Sequence, residues 1–187
     1  MTLLCGKLLS INNLCFRTVT ISKCHLKGNG MSIWGCEDVT LDNSVIETNS
    51  NGIVIQDVPQ GAITISNSKV VQTKVDNQCN GIFIIAHQHD KSDIKISSVS
   101  ITGFGNYGLL LPDNENSVRT VSQVSFDNII LSNCYNSFYS GNAGRYVKYN
   151  NIKSNKLGID LANKKYKGWN FGWSVQKNDE ISTRQVL

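Results

Sequence analysis

The sequence predicts an all-β fold: a right-handed parallel β-helix solenoid of about six coils, entered in mid-coil. Three observations predict it. An apolar-polar-apolar triplet recurs every 20 to 31 residues. A small or polar residue, most often Asn, stands two positions after each triplet. A glycine opens a second short apolar strand in nearly every repeat. Repeats at this period are stacked units, none of which buries its apolar face alone.

The triplets come first in each coil. They are Val19-Thr20-Ile21, Val39-Thr40-Leu41, Ile63-Thr64-Ile65, Ile94-Lys95-Ile96, Val124-Ser125-Phe126 and Val147-Lys148-Tyr149. Alternation of this kind is a strand with one buried face. The turn column follows: Lys23, Asn43, Asn67, Ser98, Asn128 and Asn151. Asn tolerates the left-handed backbone, and its amide bonds along a stack of like residues. The next residues, Cys24, Ser44, Ser68, Val99, Ile129 and Ile152, are expected to point inward, as are Leu26, Ile46, Val70, Ile101 and Leu131. The glycine strands begin at Gly30, Gly52, Gly81, Gly108 and Gly158, with Ser137-Phe138-Tyr139 in the fifth place and Gly6 marking one before the first. Alternation after glycine places Ser32, Val54, Phe83, Leu110, Tyr139 and Asp160 in one outward column, and Trp34, Gln56 and Ile85 in a second. Residues 1–162 are therefore read as β-helix. Residues 163–187 leave the repeat, and Trp169, Phe171 and Trp173 at period 2 give a strand with one aromatic face. That segment is read as a cap, with a homotrimer contact or a sugar platform as its other roles.

The chain has 187 residues, enough for one domain with a sizeable core. The net charge of +4 carries little information about partners, and neither nucleic acid nor membrane insertion is expected. No stretch approaches the ~20 apolar residues of a membrane span. The opening "MTLLCGKLL" has no basic region and too short an apolar run for a classical signal peptide. The six cysteines show neither CxxC nor Cys/His zinc spacing, so buried thiols are expected.

The runs "VTISKC", "VTLDNS" and "ITISNS", with "NGIVI" and "NGIFI", resemble the pectin-lyase-like superfamily over roughly residues 6–161. That group includes polysaccharide lyases, family 28 glycoside hydrolases and phage tailspikes. The resemblance implies a glycan lying along the outer face of one parallel sheet, walled by long loops. Trp34, Gln56, Phe83, Tyr139 and Arg119 are then the expected substrate-binding residues. Members usually cover the first coil with a helix or another domain. The mid-coil entry thus implies a fragment, or an end covered by another chain.

Glycoside cleavage commonly uses two carboxyl groups about 5–9.5 Å apart. Asp57, Asp113 and Glu115, at the ends of glycine strands, are the candidates, with Asp90 between them. His87 and His89 offer acid, base or substrate-holding chemistry. A His-x-His pair without a third ligand makes no metal site, and no cofactor is expected. The family 28 motifs are missing; Asn51 stands where an Asn-Thr-Asp-Gly motif places its Asp. For the pectate lyases' Arg base, Arg119 is the nearest match, with no acidic cluster facing it.

The expectation is a tailspike-like protein that binds, and cleaves by hydrolysis or elimination, a surface polysaccharide on a virion or at an extracellular surface. The alternative is a non-catalytic spike-shaft or assembly module. A secreted lyase or epimerase ranks third.

Overall fold

The structure, a computed structural model, describes residues 2–3, 18–56, 58, 60–85, 91–112, 123–140, 147–154, 171–176 and 180–185. Among them every regular element is a strand: β1 (Thr2–Leu3), β2 (Thr18–Ser22), β3 (His25–Gly28), β4 (Met31–Trp34), β5 (Asp38–Asp42), β6 (Val45–Thr48), β7 (Ile53–Gln56), β8 (Gln60–Ser66) and β9 (Lys69–Gln72). There follow β10 (Ile82–Ile85), β11 (Lys91–Thr102), β12 (Tyr107–Leu111), β13 (Gln123–Ser132), β14 (Asn136–Ser140), β15 (Val147–Ser154), β16 (Phe171–Gln176) and β17 (Glu180–Gln185).

The strands stack as a parallel β-solenoid. One face follows the order β1-β2-β5-β8-β11-β13-β15, a second runs β3-β6-β9 into β11, and the third is a separate sheet, β4-β7-β10-β12-β14. Three turns, β2–β4, β5–β7 and β8–β10, have three separate strands each, against the roughly six coils expected. Beyond them the first two faces run together as the long strands β11, β13 and β15, because backbone pairing continues across the corner.

Register follows the triplets residue for residue. Val19 pairs with Val39, Val39 with Ile63, Ile63 with Ile94, Ile94 with Val124, and Val124 with Val147. A one-residue slip would turn every apolar side chain outward, so the buried face fixes the pairing. The core is an unbroken column of aliphatic side chains. Ile21, Leu41, Ile63, Ile65, Ile101 and Ile129 are among those with no measurable exposure. Each such burial is worth about 1.5–3 kcal/mol relative to exposure. Toward the last coils, Phe126 of the first face meets Phe138 of the third edge-on, with centroids 6.4 Å apart.

The first corner is made by the turn column. Lys23, Asn43, Asn67, Ser98, Asn128 and Asn151 all have φ between 46 and 55°. This left-handed step swings the following residue inward and interrupts the strand ladder. Serines repair the gap. Ser44 Oγ accepts the Cys24 N–H at 3.0 Å and donates to the Asp42 carbonyl at 2.8 Å. One coil on, Ser68 Oγ accepts the Ser44 N–H at 3.1 Å and donates to the Ser66 carbonyl at 2.6 Å. Each of the two buried hydroxyls thus both donates and accepts, which offsets its loss of water. The Asn ladder is direct only late in the stack. Asn151 Nδ2 donates to Asn128 Oδ1 at 3.0 Å, and Asn128 Nδ2 to Ser98 Oγ at 3.3 Å. Asn67 instead donates to Asp42 at 2.9 Å.

The corner before the third face explains its glycines. A Cβ on Gly52 would stand 2.4 Å from the Gly81 carbonyl oxygen, and one on Gly81 would stand 2.5 Å from that of Gly108. The glycines form a column in which each backbone rests on the next. Beside it, Asn51 Oδ1 accepts the Asn80 N–H at 2.7 Å, and Asn80 Oδ1 accepts the Tyr107 N–H at 3.2 Å. The recurring Asn-Gly pair therefore combines a ladder acceptor with a missing side chain.

At the far end the stack changes direction. β17 pairs antiparallel with β15 through Ile152 and Ile181, and β16 pairs antiparallel with β17. The strand expected around Phe171 and Trp173 is β16; Trp169 lies outside the described residues, as do the expected glycine strands at Gly6 and Gly158, with Asp160.

Candidate functional site

The third sheet carries the four candidate binding residues that the structure describes. β7 pairs with β4 and β10, and β12 with β10 and β14. This register aligns Ser32, Val54, Phe83, Leu110 and Tyr139 across five strands, and Trp34, Gln56 and Ile85 across three. Their inward neighbours, Met31, Ile33, Ile53, Ile55, Ile82 and Ile84, are buried. Alternation therefore leaves both columns on the outer face. Trp34 is 37% exposed, and the other members are half-buried.

Neighbouring strands lie about 4.8 Å apart, so the first column steps along the solenoid axis at that interval. Phe83 and Tyr139 are two strands apart with Leu110 between them, and Trp34 and Gln56 sit on adjacent strands. Tyr107 joins the face, its ring centroid 5.7 Å from that of Tyr139 and tilted by 56°. It occupies the position that Asn51 and Asn80 hold in earlier coils, and this break in the Asn pattern is the signal that marks it. Among the described residues of β4, β7, β10, β12 and β14 there is no charged side chain.

The proposed chemical groups fall elsewhere. Asp57, His87, His89, Asp113, Glu115 and Arg119 lie outside the described residues. Gln56, Ile85 and Pro112, the last described residues that precede them in the chain, stand at or just past the same end of β7, β10 and β12. β11 begins at Lys91, so Lys91, Ser92 and Asp93 belong to that strand. Among the described residues no three His, Cys, Asp or Glu side chains converge as a metal site would require. No helix among them is long and apolar enough to cross a membrane.

Two carboxyls held below their usual range, Asp42 and Glu47, lie on the other two faces. Asp42 Oδ1 accepts from Ser66 Oγ at 2.7 Å and from Asn67 Nδ2 at 2.9 Å. These bonds, reinforced by the Asn43 N–H and the Lys23 charge, hold its carboxyl below the usual carboxylate range. Glu47 is lowered likewise by Lys27 at 3.0 Å and His25 at 2.9 Å. His25 is a surface residue, its side chain 46% exposed. Cys24, Cys36, Cys79 and Cys134 are buried, and burial pushes the Cys36 and Cys79 thiols up. A shallow depression of about 200 Å³ lies at the first corner between Asn67, Ser98, Asn128 and Ile130. The side chains of Asn67, Ser98 and Asn128 are already bonded within the coil-to-coil ladder, so the outer face of the third sheet is the better candidate.

The parallel β-solenoid is the identification the chain supports: set against known protein families, curated proteins and solved structures, the sequence and fold match none of them.

Proposed function

We propose that this protein is a polysaccharide-binding β-helix of the pectin-lyase-like, tailspike type, acting on a virion or at an extracellular surface. The glycan lies across the outer face of the third sheet. The observation that carries this reading is the outward register of Phe83, Tyr139, Trp34 and Gln56 on one uncharged sheet. Sugar rings present C–H faces that stack on aromatic side chains, and hydroxyls that pair with an amide or a phenol. A rigid backbone stack fixes the spacing of those groups before ligand arrives, which lowers the ordering cost of binding. Cleavage extends the same reading: Asp57, Asp113 and Glu115 would supply the acid and base, with His87 and His89 as further proton-transfer groups, and Arg119 would hold substrate.

The test is binding to an immobilised glycan panel, with reducing-end release and 235-nm absorbance read on every glycan bound. Phe83→Ala removes one stacking ring and is expected to weaken binding about 2- to 12-fold, the equivalent of about 0.5–1.5 kcal/mol. Phe83→Trp keeps a ring and should retain binding. Unchanged binding by a folded Phe83→Ala protein removes this sheet from the site.

Val54, Ile85 and Leu110 on the same face favour a second reading, a shaft or assembly module whose sheet is covered by another copy. A trimer in sedimentation, with no glycan bound, would select that reading.

A further inference from the structure

We infer that the ligand of this face is an uncharged glycan, recognised by ring stacking and neutral hydrogen bonds without an ion pair. The inference rests on the glycan reading above and narrows its substrate class.

Charge is distributed unevenly over the solenoid. The strands of the first face carry Asp38, Asp93 and Lys95, and those of the second carry Lys27, Glu47 and Lys69. The five strands of the third sheet contain no Asp, Glu, Lys, Arg or His. A polyuronate or sulfated glycan sets an anion on every repeat. Laid along this sheet, it would surrender hydration without receiving a cation from any of the five strands, and desolvating an unpaired anion is strongly unfavourable. Sites that select anions supply Arg or Lys for charge-assisted bonds. The strands here supply a different set. Phe83, Tyr139 and Trp34 offer rings, Gln56 offers two amide donors and one carbonyl acceptor, and Ser32 offers a hydroxyl. These complement the hydroxyls and C–H faces of a neutral hexose chain. Ser32, Phe83 and Tyr139 recur along the axis in one register, so a linear chain can meet several of them at once.

The experiment uses the full chain and four immobilised probes: a β-glucan, a mannan, polygalacturonate and heparin. Binding is measured in about 0.05 M and about 0.5 M sodium chloride, which spans strong and weak screening. The expected result is binding to a neutral probe, weakened by Phe83→Ala, retained by Phe83→Trp, and changed less than about twofold by salt. Binding to polygalacturonate or heparin alone, lost at high salt and weakened by Phe83→Ala, would overturn the uncharged class while leaving the glycan reading in place. Binding to a polyanion that is indifferent to Phe83→Ala would place a charged site off this sheet and overturn the inference. Binding to none of the four, by protein with an intact β-sheet spectrum, would overturn both.

Discussion

Replacing Gly81 by Ala adds one methyl to the corner that begins the third sheet. Gly81 is outside the positive-φ region, so the backbone there suits alanine. Given room, the change would stabilise the protein by about 0.4–1 kcal/mol through the unfolded chain. The structure gives no room. The new Cβ would sit 2.3 Å from Ile101 Cγ2 and 2.5 Å from the Gly108 carbonyl oxygen, where ordinary contact is 3.4–4 Å. Ile101 has no measurable exposure, so its methyl can give way only against other packed groups. The coils must separate by roughly 1 Å locally, straining the 2.8 Å bonds from Gly81 N–H to the Tyr107 carbonyl and from Ile53 N–H to the Gly81 carbonyl. Overpacking costs about 1–3 kcal/mol and each of the two weakened backbone bonds up to about 1 kcal/mol, so up to about 5 kcal/mol in all. In a chain of this size the upper figure lowers the melting temperature by roughly 10–20 °C. Gly35→Ala is the comparison. Nothing lies within 4 Å of its Cβ, and only its φ of 68° opposes the change. About 1–2 kcal/mol follows from that conformation. Thermal melts followed by circular dichroism at 218 nm would rank the two. Gly81→Ala melting at or above Gly35→Ala would refute the packed glycine column.

Other consequences are open to the same instruments. Ser68→Ala removes the acceptor of the buried Ser44 N–H, and a loss of about 1–3 kcal/mol is expected in denaturant titration; a change under about 0.5 kcal/mol would remove the serine ladder from the account. The Asp42 carboxyl is lowered in the folded state, so its contribution is complete above the unfolded value near pH 4 and disappears as pH falls through the folded value. The melting-temperature gap between wild type and Asp42→Asn should therefore narrow from about pH 6 to about pH 3, and a constant gap would refute it. The Cys36 and Cys79 thiols should resist a charged disulfide reagent in the native protein at pH 8 and react on unfolding, with mass spectrometry locating the labels; rapid native labelling at either would contradict their burial.

Much of the architecture was legible in the residues. Period-2 alternation states which side chains face inward, and that property is local to each strand. Hence the triplet register, the inward turn of Cys24, Ser44 and Ser68, and the outward register of Phe83 and Gln56 all appear as the sequence predicts. The left-handed column was also legible, since Asn43, Asn67, Asn128 and Asn151 suit that backbone by themselves. The outward register of Trp34, Gln56, Phe83 and Tyr139 follows from the same alternation. Arg119, Asp57, Asp113 and His87 lie outside the described residues.

Tertiary structure decided the contacts between coils. Whether Asn67 meets Asn43 or Asp42 depends on the offset of one coil over the next, and the bond to Asp42 is the one formed. The need for glycine at 52, 81 and 108 comes from a carbonyl or a buried side chain in the coil stacked above, 18 or more residues away in the chain. Tyr107 reaches Tyr139 only because β12 and β14 are neighbours. The antiparallel return of β17 onto β15 likewise follows from a chain reversal that breaks the repeat. The sequence by itself determined the facing of each side chain, a matter of backbone period. Tertiary structure decided which groups touch, because touching is set by stacking between residues that are distant in the chain.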